Sequence, residues 1–167
     1  MVGFSWAPEL NARCVDDHVG YRARVSALYF AYGSNLAPER MRERVGAVRT
    51  LGVAQLAGFC LRLDKRGADG SGKANLHQDA QGSVWGVLYA FEAAAWPSLD
   101  AFEPGYERIA VDVECAGASH AAHTYRSHLI APDLLPLAWY KRMIVDGARA
   151  HGLPDAWLRL LEALPER

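Results

Sequence analysis

A chain of 167 residues is long enough for one domain with its own core and too short for two ordinary ones. Hydrophobic residues make up 51% and charged residues 22%, the composition of a soluble globular protein. Lys plus Arg (18) almost balance Asp plus Glu (19), so no large field favours nucleic acid or an anionic membrane, and a small near-neutral or zwitterionic partner fits better.

Cys14, Cys60 and Cys115 are odd in number and widely spaced, with no C-x-x-C, so neither a disulfide framework nor a zinc site is indicated. Such cysteine usage suits a reducing cytoplasm. No apolar run reaches the length of a membrane span, and no signal peptide pattern opens the chain. Residues 1–25 lack sustained periodicity and read as an extension ahead of a domain over 26–167. Cys14, Asp16, Asp17 and His18 are possible metal ligands on paper, but adjacent acids on an irregular segment are usually solvated.

The run Tyr29-Phe30-Ala31-Tyr32-Gly33-Ser34-Asn35-Leu36 is an aromatic-apolar strand leading into a glycine turn and a helix start. Gly33 lets the main chain turn and approach a ligand, and Ser34 or Asn35 can cap a helix with Pro38 and Glu39 in its first turn. A strand end and a helix N-terminus aim N–H groups at one point, suiting an anion or a carbonyl oxygen. The loop has neither the P-loop pattern nor G-x-G-x-x-G, and Ser34 is not in a G-x-S-x-G elbow, so it reads as a positioner rather than a nucleophile.

Further along, Val48 to Gln55 and Phe59 to Leu63 read as two strands broken at Gly58. Asp64 to Lys73, with its glycines, reads as a long mobile connection bordering a site. Ala74 to His77 is extended, Gly82 marks a turn, and Val84 to Phe91 is a strand buried on both faces. Glu92 to Phe102 turns helical and stops at Pro104-Gly105, which puts Glu103 at a helix C-terminus where the dipole opposes its ionised form.

Strands follow over Tyr106 to Glu114, with Ile109, Val111 and Val113 inward, and over Ala122 to Ile130. His120, His123 and His128 do not make a metal set: the same-face pair His120 and His128 would stand roughly 26 Å apart if extended. A helix over Leu137 to His151 carries Tyr140, Ile144, Gly147, Ala148 and His151 on one face. Gly152 ends it, and Asp155 can cap a last helix through Leu164. Strands first and helices last argue for an α+β domain on a mixed, mainly antiparallel sheet that closes into a β-barrel with peripheral helices.

Tyr29 to Leu36 resembles the Y-x-A-Y-G-S-N-L signature of the γ-glutamylcyclotransferase family. Val84-Trp85-Gly86-Val87 is similar to the family's central strand, Leu99-Asp100-Ala101-Phe102-Glu103 with Gly105-Tyr106 to its L-D-x-x-E segment, and Tyr140-Lys141, Gly147-Ala148 and Gly152-Leu153-Pro154 to its closing helix. The resemblance covers roughly Leu28 to Pro165, and Pro104 stands where glycine commonly follows the glutamate. It implies a catalytic Glu103 as general acid and base, a γ-glutamyl cradle at Tyr29, Phe30, Ala31, Tyr32, Gly33, Ser34 and Asn35, and substrate-contacting tyrosines at Tyr106 and Tyr140. The implied reaction closes 5-oxoproline from a γ-glutamyl amide, with no cofactor and no metal, in a cytoplasmic monomer or homodimer. Rival readings are a non-catalytic binding module of the same fold, and a cyclotransferase for γ-glutamyl-amines, glutathione or a biosynthetic intermediate.

Overall fold

The structure, a computed structural model, describes residues 26–167. The expected extension over 1–25 and its Cys14, Asp16, Asp17 and His18 lie outside the described residues. Strands β1 (Ser26–Ala31), β2 (Val48–Arg66), β3 (Gly72–Glu92), β4 (Glu107–Cys115) and β5 (Ala118–Arg126) form a closed barrel in the order β1-β3-β2-β4-β5. Pairing is antiparallel except at the seam, where β1 meets β5 in parallel at Tyr29 and His123, so the sheet is mixed. Two side-chain bonds reinforce that short seam: Thr124 Oγ1 donates to the Phe30 carbonyl (2.8 Å) and Tyr32 Oη to the Tyr125 carbonyl (2.6 Å). Helices α1 (Pro38–Val45), α2 (Trp96–Ala101), α3 (Ala138–Ala150) and α4 (Asp155–Ala163) lie around the barrel, giving the α+β class expected. No helix among the described residues is long and apolar enough to cross a membrane.

Several boundaries differ from the sequence reading. Gly58 does not break β2: at φ +80° it forms a bulge where the register shifts between Ala57 and Phe59, and the strand continues. Gly82 is likewise inside β3, where a Cβ would meet the Phe59 carbonyl at 2.5 Å. Strand β5 begins at Ala118 rather than Ala122, because Ala116 and Gly117 both take positive φ and make a two-residue hairpin turn directly after Cys115. The stretch 64–73 is no long mobile loop. Strands β2 and β3 extend into it from both sides, and a short turn clipped by Gly67 N–H to the Ser71 carbonyl (2.8 Å) and Ser71 N–H to Asp69 Oδ1 (3.0 Å) closes it.

Helix starts also depart from expectation. Neither Ser34 nor Asn35 caps α1; they form a 3₁₀ turn (Ser34–Leu36), and Ala37 occupies the cap position with no side-chain bond. Pro154 rather than Asp155 precedes α4. Val84 to Phe91 is buried along both faces apart from the partly covered Trp85, and Val113 with partly covered Ile109 and Val111 faces inward, as their patterns require.

The closing helix α3 seats directly on the 3₁₀ turn through its small face. A Cβ on Gly147 would stand 2.8 Å from the backbone carbon of Leu36 and 2.9 Å from the Ala37 nitrogen, so only glycine permits this approach. Gly147→Val is therefore expected to lower stability by roughly 1–3 kcal/mol through overpacking. A thermal or urea midpoint equal to that of the parent chain would contradict this packing account.

Candidate active site

Two chain reversals bring the site together. The first follows β1, where Tyr32 and Gly33 lead into the 3₁₀ turn. Its N-terminal N–H groups precede the first turn bond, from Leu36 N–H to the Gly33 carbonyl (3.0 Å), and so have no acceptor within the turn. Gly33 is required by space rather than by dihedral angle: its φ is −113°, but a Cβ would stand 2.9 Å from the Ala74 Cβ on β3.

The second reversal follows α2. Tyr106 N–H donates to the Glu103 carbonyl (3.1 Å) with Pro104 and Gly105 between them and Gly105 at φ +78°, the arrangement of a type II turn. Pro104 thus suits the position after the glutamate, and the turn presents Glu103 and Tyr106 to the same side. Both line one cavity with Tyr29, Tyr32, Gly33, Ser34, Asn35, Ala74, Tyr125 and Tyr140; its open space is about 280 Å³, mouth included.

The expected residues divide. Glu103, Tyr29, Tyr32, Gly33, Ser34, Asn35, Tyr106 and Tyr140 meet at the cavity wall. Phe30 and Ala31 do not: both are fully buried in the barrel core, Phe30 stacked near Tyr32, and neither lines the cavity. A larger groove lies between β2 and the 132–136 segment, lined by leucines and prolines with Asp64, Asp79 and Asp133, but no hydroxyl side chain lines it.

Glu103 is not a solvated surface acid. Its side chain is 14% exposed, and Oε1 accepts from Arg44 Nη1 (2.6 Å) and Asn35 Nδ2 (2.9 Å). Oε2 has no hydrogen-bond partner among the described residues. Burial raises its pKa above the ordinary carboxylate value, and the Arg44 charge, the two hydrogen bonds and Arg40 oppose that rise without cancelling it. The direction is the one read from the sequence; the cause is desolvation rather than the helix dipole.

Asn35 is held on every side. Nδ2 donates to Glu103 Oε1 and to Tyr29 Oη (2.8 Å), while Oδ1 accepts from Arg44 Nη1 (2.7 Å), so only one orientation of the amide satisfies all three partners. Its side chain positions Glu103 and Tyr29 and has no donor left over.

The tyrosines differ in what their hydroxyls still offer. Tyr32 donates to the Tyr125 carbonyl, Tyr125 to Asp100 (2.6 Å) and Tyr106 to the Ala74 carbonyl (2.7 Å), so these protons are engaged. Tyr29 accepts from Asn35, and Tyr140 accepts from the Ala74 N–H (3.1 Å). Tyr29 therefore keeps a proton to donate to a ligand, and so does Tyr140 when its other side-chain partner, the Ser34 hydroxyl, is a donor to it. Burial holds both neutral, pushing Tyr140 up to about 12 and Tyr29 well above its ordinary value, so they remain donors at physiological pH.

Sequence reasoning missed Arg44, Tyr125 and Ala74. Arg44 sits in the last turn of α1, where a basic residue is ordinarily solvated, yet it is 7% exposed and paired to Glu103. Among the described residues no three His, Cys, Asp or Glu side chains gather as a metal set, and His123 instead packs edge-on against Trp96.

A closed mixed barrel ringed by helices is the fold of the γ-glutamylcyclotransferase-like proteins. An AIG2-like family model matches residues 83–161. The human γ-glutamylcyclotransferase is 32% identical over 151 residues, covering 83% of this chain and 79% of that protein. The mouse γ-glutamylcyclotransferase is 31% identical over 160 residues, covering 89% and 84%. A solved structure of a gamma-glutamyl cyclotransferase superposes with a TM-score of 0.80 at 30% identity, over 86% of this chain and 90% of that one. The chain belongs to the γ-glutamylcyclotransferase family and is an enzyme of the cyclotransferase type.

Removing the Arg44 charge leaves the Glu103 carboxylate buried without its counter-ion. Arg44→Met is expected to raise the Glu103 pKa further, read by carboxyl-carbon NMR titration. It also costs roughly 3–5 kcal/mol at neutral pH, a deficit that shrinks in acid as Glu103 takes up its proton. An unmoved titration would show that the ion pair does not control this carboxyl group.

Proposed function

We propose that the chain releases 5-oxoproline from γ-glutamyl amides, with Glu103 as general base and then general acid. The observation that carries the reading is the shared cavity: a buried carboxyl group with one free oxygen lies beside the amides of the Gly33-Ser34 turn and the available hydroxyls of Tyr29 and Tyr140. In this reaction the substrate's α-amine nitrogen bonds to its own γ-carbonyl carbon, and the bond from that carbon to the leaving nitrogen breaks. Starting from the ammonium form, two protons pass from the α-nitrogen to the departing amine, which leaves as ammonium. No proton is taken from or left to solvent overall.

Each residue has a part set by its atoms. Glu103 Oε2 is free to take a proton from the α-ammonium and return it to the leaving nitrogen, while Oε1 stays anchored by Arg44 and Asn35. The Gly33-Ser34 N–H groups and the hydroxyls of Tyr29 and Tyr140 hold the α-carboxylate and the developing charge on the γ-oxygen. Both reactants belong to one molecule, so holding it curled is the main requirement, and well-oriented intramolecular reactions reach effective molarities of about 10⁵ M or more. That accounts for a site without an obvious nucleophile.

The raised Glu103 pKa fixes the pH behaviour. The folded chain holds this proton more tightly than the unfolded chain, so the group favours folding in acid, and that contribution is lost as pH rises through the folded value. Catalysis needs the opposite form. Activity is expected to fall as pH drops through the raised value, with an acid limb above the ordinary carboxylate range.

Glu103→Gln keeps the bond geometry with Asn35 available but cannot accept the proton. Its expected kcat is about 10²–10⁴-fold below the parent on γ-glutamyl-alanine, with the acid limb gone. Retention of most of the 5-oxoproline yield, with unchanged circular dichroism, would remove Glu103 from the reaction. Testing γ-glutamyl-alanine, γ-glutamyl-ε-lysine and glutathione side by side separates the rival substrate classes.

A further inference from the structure

The cavity does not end at Glu103. Ser34, Glu103, Tyr106 and Tyr140 also form the rim of a second chamber, about 530 Å³ with its mouth included, whose wall carries Arg40, Arg44, Lys65 and Lys73. Two of these cations have carboxylate partners: Arg44 pairs with Glu103, and Lys73 lies 2.8 Å from Asp69. Lys73 also stands over the rings of Tyr140 (4.6 Å) and Trp139 (5.1 Å). Hydrogen bonds from Lys73 and Ser71 hold Asp69 well below the usual carboxylate range, so it remains an anion and its pairing persists.

The other two cations have no carboxylate at ion-pair distance among the described residues, although the Glu103 charge acts on both from farther away. Lys65 is buried, donates to the Pro104 carbonyl (2.9 Å) and sits 4.7 Å above the Tyr106 ring. Arg40 is half-buried and makes no hydrogen bond or ion pair among the described residues, and its Nε is buried without a partner. Solvated surface charges extend into water; these two are partly stripped of it, and burial lowers the pKa of both. A half-dry cation with no anion in direct contact favours one that enters the chamber.

We propose that this second chamber receives the leaving group and selects an amine that carries two carboxylates, so that the preferred substrate is the γ-glutamyl amide of an acidic amino acid. The inference rests on the reaction proposed above. With the γ-glutamyl end in the inner cavity, the breaking bond lies at the shared rim beside Glu103, and the departing amine projects among Arg40, Lys65 and Lys73. Two unmatched cations call for two anionic groups. An alkylamine leaving group supplies none and keeps both cations half-desolvated; alanine supplies one.

The test compares kcat/KM for γ-glutamyl-glutamate, γ-glutamyl-alanine and γ-glutamyl-ethylamide by 5-oxoproline release at low and high salt. The expected order is glutamate, alanine, ethylamide, with at least about a tenfold advantage for the first over the last. Salt should shrink that advantage, because the chamber opens to solvent. Arg40→Gln is expected to compress the ratio chiefly through a higher KM for the acidic substrate. Equal values for the three substrates, with 5-oxoproline formed from each, would overturn the selectivity and leave the cyclotransferase chemistry standing. Absence of 5-oxoproline from all three would overturn the chemistry and the selectivity with it.

Discussion

The ion pair between Arg44 and Glu103 joins segments that are distant in sequence, the end of α1 and the turn after α2, and Asn35 ties both to the turn after β1. A carboxylate this dry is costly unless a positive charge and hydrogen bonds meet it, so the three residues stand or fall together. Arg44 is itself anchored from behind, since Ser98 Oγ donates to its carbonyl (2.6 Å) and links α1 to α2. The arrangement saturates one carboxyl oxygen and leaves the other open. A general base needs that asymmetry, with a fixed position and a free lone pair.

Around this knot the barrel supplies hydroxyls in two states. Tyr32, Tyr106 and Tyr125 donate to fixed acceptors and act as struts, two of them to backbone carbonyls of β3 and β5. Tyr29 and Tyr140 accept instead, and so remain donors toward the cavity. The difference is set by main-chain geometry: the free Ala74 N–H on β3 points at Tyr140, while the Ala74 carbonyl receives Tyr106. One residue of β3 thereby orients both tyrosines, and its Cβ fills the space that Gly33 leaves open.

The barrel and the cavity wall were legible in the sequence because their signals are local. Aromatic alternation in Tyr29 to Tyr32, the apolar run Val84 to Phe91 and the Pro104-Gly105 turn each specify a conformation within a few residues. The long strands β2 and β3 were fragmented because a glycine bulge and a glycine turn share the same residue, and only cross-strand register distinguishes them. Strand β5 opens on Ala118 to Ala122, small residues apart from His120, whose strand signal is weak without their partners. Arg44 was invisible for another reason. Its place in a basic helix end suits a solvated charge, and nothing local says that Glu103 will be folded against it. Phe30 and Ala31 belong to the same motif but lie fully buried in the core, off the cavity wall.

The two chambers are coupled through one charge. Arg44 lines the outer chamber while its Nη1 holds Glu103 Oε1 at the boundary of both. Burial already raises the proton affinity of Glu103, and the cations nearby restrain it. A carboxylate entering the outer chamber screens those cations and adds negative charge beside Glu103, and both effects raise that affinity further. Under the proposed reaction and selectivity, the carboxyl group becomes a stronger base when an anionic leaving group is seated and the α-ammonium waits to lose its proton. On this account the cations bind the departing half of the substrate and, through Glu103, assist activation of the attacking half. The coupling needs no motion of the chain, only Coulomb interaction between neighbouring charges.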